Sequence, residues 1–297
     1  MVSRIIDAHH HLWDLTAMRH TWLAEAGVTR FFGDPTPIQN NYHVPDFVAD
    51  HGTLPVTGSV HIQCGVALDH SVLETQWVQE QADEHRMVKA IVAFCDLTKA
   101  DVQTTLDAHQ VAPLLRGVRQ IVGRDAAEDA KNGTNDLLDS AAFTEGLRCL
   151  IKRGLSFDLQ LTPPLLSAAA KVFGKVDALP VALCHAGSPQ DLTPAGLRDW
   201  EFGMKQFAEL PNAICKISGL GMFDQNWTVA SFRDRVLRTI DIFGPSRVAF
   251  GSNFPVDKLY ATYGDTIGAY LTLTDGFTDA ECAEMFHDVA TTFYRSV

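Results

Sequence analysis

Eight short apolar runs, most of them followed by a segment of helical pattern, constrain this 297-residue chain more than any other feature. They fall at residues 5–9, 58–63, 88–94, 115–121, 156–161, 181–185, 213–218 and 248–252. Helices are legible between them at 72–85, at 165–176 behind the Pro163-Pro164 start signal, and at 232–243 before Gly244-Pro245. Strand and helix alternating eight times predict an α/β fold, a parallel sheet closed as a (β/α)8 TIM barrel. An open doubly wound sheet would share parts of the pattern, but no glycine-rich dinucleotide fingerprint follows the first run. No linker interrupts the rhythm, so a single domain over residues 1–297 is expected. Residues 277–297 read as a final helical pair packed on the outside, away from any chemistry.

Residues 12–57 break the rhythm. They carry Trp13, Trp22, Phe31, Phe32, Tyr42 and Phe47 together with Pro35, Pro37, Pro45 and Pro55, with no clean period. The stretch is too long for an ordinary connection. In a barrel it follows strand one and lies over the C-terminal face, where sites are built. Two readings stay open: part of the substrate pocket and its lid, or an aromatic plug.

The formal charge is −12, from 36 acidic and 24 basic residues, which disfavours nucleic acid and anionic membrane as partners. It leaves room for an anionic small molecule held by local arginines. The six cysteines show no CxxC spacing and lie mostly inside the apolar runs, so free thiols in a reducing compartment are expected. The first residues lack the apolar core of a signal peptide, and no run of 18 apolar residues occurs. The cytoplasm is the expected location.

Polar groups gather where the strands should end. The first run continues as Asp7-Ala8-His9-His10-His11-Leu12-Trp13. Residues two apart on a strand point the same way, so His9 and His11 share one side and His10 is left to pack on the other. Neutral imidazoles in a pair can hold a divalent cation, polarise a carbonyl or bind an anionic substrate. Further along, strand two offers His61 and Gln63 on one face, and strand four offers Arg116 and Arg119. Strand five offers Asp158 and Gln160, and strand six ends in His185 before Ala-Gly. Strand seven carries Lys216 and Ser218, and strand eight leads into Asn253 and Asp257. An arginine fork suits a carboxylate or a polyol edge. The two arginines stand three apart, which shares a face only if the strand bulges at Gly117. One is therefore expected in the pocket, Arg119 by preference, and the other on a structural carboxylate such as Asp158. His185 joins His9 and His11 as the third member of a histidine cluster.

Seven segments in order carry a family resemblance: Asp7-x-His9-x-His11-Leu-Trp, Val60-His61-Ile-Gln-Cys, Arg116-Gly-Val-Arg119-Gln, Leu155-Ser-Phe-Asp158-Leu, His185-Ala-Gly-Ser-Pro, Asn212-Ala-Ile-Cys-Lys216-Ile-Ser-Gly-Leu and Phe250-Gly-Ser-Asn253-Phe-Pro-Val. The chain resembles the amidohydrolase superfamily, in particular its lactonase-like branch of fuconolactonase-type and pyrone-dicarboxylate lactonase-type hydrolases. The resemblance implies a distorted barrel with a hydrolytic site at its C-terminal face. There the HxH pair, a histidine after strand six and an acid after strand eight surround an activated water. Many members hold one or two divalent metals, and some of this branch work without a tightly bound one.

This sequence departs from the pattern at Asn253, where the family usually has an aspartate. An amide has no basic site near neutral pH. Asp257 could supply the carboxylate if the loop folds back past Pro255, or a histidine could act as base. A binuclear centre is not expected, because arginine stands near strand four where a bridging carboxylate or carboxylated lysine is needed. The expected cofactor is none tightly bound, or one weakly held zinc or manganese on His9, His11 and His185.

The expected activity is hydrolytic opening of a sugar-acid or carboxylated lactone. His9, His11, His185, Asn253 and Asp257 would be catalytic, and Arg119, Arg116, His61, Gln63, Trp13 and Lys216 would hold the substrate. A homodimer is common for such barrels, though no interface is legible. Rival expectations are a lactone isomerase, a metal-dependent decarboxylase or an amide hydrolase on the same barrel. A barrel that binds a metabolite without turnover is a further rival, because of Asn253.

Overall fold

In the computed structural model, which describes residues 2–23 and 30–296, eight strands form one sheet in which every neighbouring pair is parallel. They are β1 (Ile5–His10), β2 (Val56–Ile62), β3 (Val88–Ala93), β4 (Leu115–Ile121), β5 (Ser156–Gln160), β6 (Val181–Leu183), β7 (Ala213–Ile217) and β8 (Val248–Phe250). Spatial order follows chain order. The two ends meet through Asn253 N–H to the His9 carbonyl (2.7 Å) and His11 N–H to the Phe254 carbonyl (2.7 Å). The result is the expected (β/α)8 barrel. A Cβ on Gly251 would stand 2.7 Å from the His9 backbone nitrogen, so β8 closes on β1 only through a glycine.

The helices are α1 (Val44–His51), α2 (Ser71–His85), α3 (Val102–His109), α4 (Ala126–Asn132), α5 (Ala141–Lys152), α6 (Leu166–Phe173), α7 (Pro194–Ala208), α8 (Val229–Phe243), α9 (Tyr263–Leu273), α10 (Asp279–Ala283) and α11 (Val289–Tyr294). Alternation sorts each strand. Ile6, Ala8, Val60, Ile62, Ala90, Val92, Ala182, Ile214 and Ala249 fill the inside with small and branched side chains. Val118, Phe157, Leu183, Cys215 and Phe250 belong to the second cluster, which packs beneath the helices.

The C-terminal helices overturn one expectation. A π-turn over Glu284–Asp288 joins α10 to α11, and Val289, Ala290 and Tyr294 belong to the interior cluster. Arg295 lies close enough to Arg116, at the start of β4, to depress its pKa, after burial. So α11 closes the N-terminal mouth of the barrel instead of lying outside it. Nothing in the sequence distinguishes a helix that plugs a mouth from one that packs on a flank, since both need one apolar face.

The stretch 12–57 is more ordered than its composition suggested, although its residues 24–29 lie outside the described residues. It contains helix α1, whose start is a capping box between His43 and Asp46 with Pro45 in the first turn. Trp13, Phe32, Tyr42 and Phe47 are buried in the outer core, and Trp13 pairs with Tyr42 as an antiparallel bridge. These rings make a plug. Phe31 lines a cavity, where its ring stacks on Phe223 at 6.2 Å.

Candidate active site

The strand-one histidines divide as alternation predicts, with one extra step. Asp7 pairs with Ser59 and His10 with His61, so β1 carries one more residue than β2 across this interval. Such a bulge re-aims side chains. His10 stacks on Phe47 of α1 at 4.4 Å, outside the barrel. The His9 ring lies 4.5 Å from that of His185 and 5.2 Å from that of His11. Asp7 anchors this arrangement by accepting hydrogen bonds from Ser252 N–H (2.9 Å), His9 N–H (3.1 Å) and the Tyr263 hydroxyl (3.0 Å).

Each tautomer follows from its partner. His11 Nδ1 lies 2.7 Å from the Ile62 carbonyl, which can only accept, so Nδ1 carries the proton and Nε2 keeps its lone pair. His185 Nδ1 meets the Ser218 hydroxyl at 3.0 Å and the Ser218 carbonyl at 3.3 Å, which likewise leaves Nε2 unprotonated. His9 has both ring nitrogens buried without a partner. Burial holds all three imidazoles well below their ordinary pKa. Lys216 adds to this at His9, and Arg119 at His11 and His185. They are neutral bases in a buried site.

Asn253 stands beside them. Its Oδ1 lies 3.3 Å from His11 Nε2, and its Nδ2 donates to Asp257 Oδ1 at 2.9 Å. Two lone pairs therefore face one another with no proton of their own to share. Asp257 is buried behind Asn253, and burial pushes its carboxyl up to about 7 against the lowering influence of Asn253 and the Gly221 backbone. Gly219 makes room for both groups: a Cβ there would lie 2.6 Å from His185 Nδ1 and 3.0 Å from Asn253 Nδ2. Among the described residues, positive φ outside glycine occurs at Arg86, His185, Ala186, Ser188, Asn253 and Arg295. Four of these six lie at the ends of β6 and β8, where strain at a working site is expected to collect.

Arg119 points inward, 5% exposed, and donates to the Gln63 carbonyl and to Gln160 Oε1 (3.0 Å). Its Nε–H has no partner. Gln63 is held beside it, its own amide accepting from Gly65 N–H at 2.7 Å. The structure thus brings His9, His11, His185, Asn253, Arg119 and Gln63 to one end of the barrel, with Asp257 one layer behind.

Three other residues do not reach the site, and a fourth, Lys216, lies beneath it. His61 faces the helix layer, accepting from Leu12 N–H at 3.2 Å and lying 3.9 Å from Glu74 of α2, because its strand neighbours Val60 and Ile62 take the inward positions. Arg116 sits at the opening of β4 and donates to the carbonyls of Pro113 (2.8 Å) and Leu115 (2.9 Å). Trp13 is wholly buried in the plug, its Nε1–H on the Asn40 carbonyl at 2.7 Å. Lys216 is wholly buried and paired to Asp158, which also accepts from the Tyr294 hydroxyl at 2.9 Å. The partner foreseen for Asp158 was an arginine of β4; the lysine of β7 takes that place. Ser218 and Tyr294, which hold His185 and Asp158, are the residues around the site that sequence reasoning undervalued. Ser218 was visible as a strand-end polar group, but Tyr294 gave no signal.

The trio offers the donor chemistry of a zinc or manganese site: neutral imidazoles, two of them oriented through Nδ1–H. Its spacing does not match. Among the described residues, sets of ligating atoms within 4.8 Å of one another are His9–Asp158–Cys184 and His61–Cys64–Glu74, and the three site histidines are not such a set. Ligands on one tetrahedral ion stand roughly 3.4 Å apart for bonds of about 2.1 Å.

Above the site lies a cavity of about 480 Å³, lined by Phe31, Asp125, Gln190, Met222, Gln225 and Asn226 among others. Its walls come from the connections after β1, β4, β6 and β7. Met222 links it to the imidazoles, its methyl lying 2.7 Å from the point a Gly219 Cβ would occupy. Among the described residues no helix is long and apolar enough to cross a membrane.

Comparison with known proteins agrees with this architecture. The chain is 37% identical to the uncharacterized protein y4mH of Sinorhizobium fredii over 98% of both chains. It is 26% identical to the L-fucono-1,5-lactonase of Burkholderia ambifaria, over 98% of this chain and 95% of that one. An amidohydrolase of Burkholderia multivorans, crystallised with bound zinc, superimposes with a TM-score of 0.82 at 23% identity, over 99% of each chain. The sequence pattern of the amidohydrolase family matches residues 6–296, and the chain belongs to that family.

Proposed function

We propose that this protein hydrolyses the ring ester of a lactone, taking a sugar-acid or related carboxylated lactone as substrate. The observation that carries the reading is the pair of opposed acceptors, His11 Nε2 and Asn253 Oδ1, 3.3 Å apart, with Arg119 near enough to depress His11 and its own Nε–H unpartnered. Water has two hydrogens to give and an oxygen lone pair to attack with. Once the two acceptors part to about 4.4 Å, water donates one hydrogen to each and is held with that lone pair free. The lactone carbonyl lies against Arg119, whose charge and free donor stabilise the oxygen as it becomes negative. Lactonase relatives support this substrate class.

The electrostatics couple the two events. After burial, Arg119 is the group that most depresses His11. As negative charge grows on the carbonyl oxygen it offsets the guanidinium, and His11 Nε2 becomes a better base while the water oxygen bonds to the carbonyl carbon. The proton then passes to the ring oxygen as the carbon–oxygen bond breaks, and a hydroxy acid leaves. Substrate enters through the cavity bounded by Phe31 and Met222. A zinc or manganese held by His9, His11 and His185 requires the rings to draw together, and no step above uses one.

A pH-indicator assay on a panel of sugar and dicarboxylate lactones tests the reading, with enzyme as purified, chelated, and supplied with zinc or manganese. Acid release from a subset is expected, and the chelated arm then decides whether metal takes part. His11→Ala should cut turnover roughly a hundredfold or more in a folded chain. No acid from any lactone under all three conditions would sink the proposal, and NMR of the products would separate hydrolysis from isomerisation and decarboxylation.

A further inference from the structure

The amide of Asn253 can present either end to the site, and something must decide which. Asp257 is a carboxylate one layer behind, 3% exposed, and its Oδ1 accepts from Asn253 Nδ2 at 2.9 Å. Its carboxyl group also meets the Gly221 backbone N–H, from the connection after β7. An ionised carboxylate only accepts. It therefore takes the NH2 end of Asn253 and leaves the oxygen end facing His11 Nε2.

We propose that Asp257 is the positioning residue that fixes the polarity of Asn253, so that amide and carboxylate together stand in for a single aspartate after β8. This rests on the hydrolytic reading above, and says how a chain with an asparagine at this position still offers an acceptor to the attacking water. The alternative of an aspartate at 253 with Asp257 unchanged would press two buried carboxylates together, and like charges at that distance cannot both ionise. The amide is what allows a buried acid to stay behind it.

The argument predicts what a single amide at 257 does. In Asp257→Asn the Gly221 N–H still needs an acceptor, so the new side chain turns its oxygen there and its NH2 toward Asn253. Asn253 must then rotate to offer its oxygen backward. Its NH2 faces the site and donates to His11 Nε2, and both acceptors for water are lost at once. Exchanging the two residues repairs the chain of polarity. In Asn253→Asp/Asp257→Asn, residue 257 accepts from Gly221 and donates to the carboxylate at 253, whose other oxygen faces the site.

The test measures kcat, KM and thermal melting for wild type, Asp257→Asn and the exchange variant on one lactone that the wild type opens. Asp257→Asn should lower kcat about fiftyfold with KM within about twofold, as for loss of a group that acts in the transition state. The exchange should return kcat to within about tenfold of wild type, a rescue that a purely structural role for Asp257 does not provide. Wild-type kcat in a folded Asp257→Asn overturns the assignment. So does an exchange variant that stays inactive, whether or not it folds. If wild type itself opens no lactone, it is the hydrolytic reading that has failed, and this assignment falls with it.

Discussion

At the scale of single residues, the site depends on which atom of each side chain keeps a lone pair. His11 and His185 are decided by carbonyls that no local pattern reveals, those of Ile62 and Ser218. Gly219 leaves no room for a side chain. Its φ is +63°, and a methyl there would displace His185 and Asn253 together, so Gly219→Ala should lower kcat/KM at least tenfold, by about 1.4 kcal/mol or more. A steady-state assay beside a melting curve checks this, and an active Gly219→Ala would show that the two groups need not be held so closely. Asp257 gives a second prediction. Its carboxyl titrates at about 7, and only the ionised form holds Asn253 with its oxygen forward. Activity should therefore rise as pH increases through about 7, with the limb read from kcat/KM between pH 5.5 and 8.5. Tyr260 on its own segment and Tyr270 of α9 face it as neutral phenols whose pKa values are raised by burial first and by Asp257 second, so both stay protonated across that window.

Elements bring together what lies far apart in the chain. The Lys216–Asp158–Tyr294 cluster joins β7, β5 and α11 beneath His9, and all three side chains are wholly buried. Removing the cation leaves an uncompensated carboxylate in the barrel. Lys216→Met should therefore cost about 3–5 kcal/mol, whereas Tyr294→Phe, which removes one donor, should cost about 1–2 kcal/mol. Urea melts of the two variants check the ranking; equal losses would mean that the ion pair adds little beyond the hydroxyl. Most strands and helices were legible because their apolar periods are strong. Helix α2 begins at Ser71, one residue before the position read from the pattern, and α8 at Val229, three before. Helix α1 was missed, although His43-Val44-Pro45-Asp46 carries a start signal, because four prolines in the surrounding stretch read as loop. The plug of α11 could not be read at all. Its apolar face suits a barrel mouth and a barrel flank equally.

For the whole molecule, burial of so many neutral histidines fixes how stability responds to acid. His9, His10, His11 and His185 are all held well below 6.5, first by burial. The unfolded chain takes up protons near 6.5 that the folded chain refuses, so the stability these groups contribute is complete above that pH and is lost as pH falls below it. Asp7 and Asp257 shift upward and work in the opposite sense, since the folded chain holds their protons more tightly. His20 and His109 are lowered by burial as well, and two upward-shifted groups against six leave the unfolded state the stronger proton binder, at about 1.4 kcal/mol per net proton per pH unit. The melting temperature should decline from pH 6.5 to 5; a flat profile would mean that these imidazoles are hydrated in solution.

By itself the sequence determined the barrel, the family, the facing of His9 and His11 away from His10, and the strand ends from which the site is drawn. The family rests on the resemblance of seven ordered segments; the rest follows from periods of two and of 3.6 residues and from strand-end chemistry, which are local properties. Tertiary structure decided the rest. It turned His61 toward α2, left Arg116 at the opposite mouth, paired Lys216 with Asp158, and set Asp257 behind Asn253. Each outcome depends on which partner, distant in sequence, arrives with a donor, an acceptor or a charge, and a single strand carries no record of the neighbours it will meet.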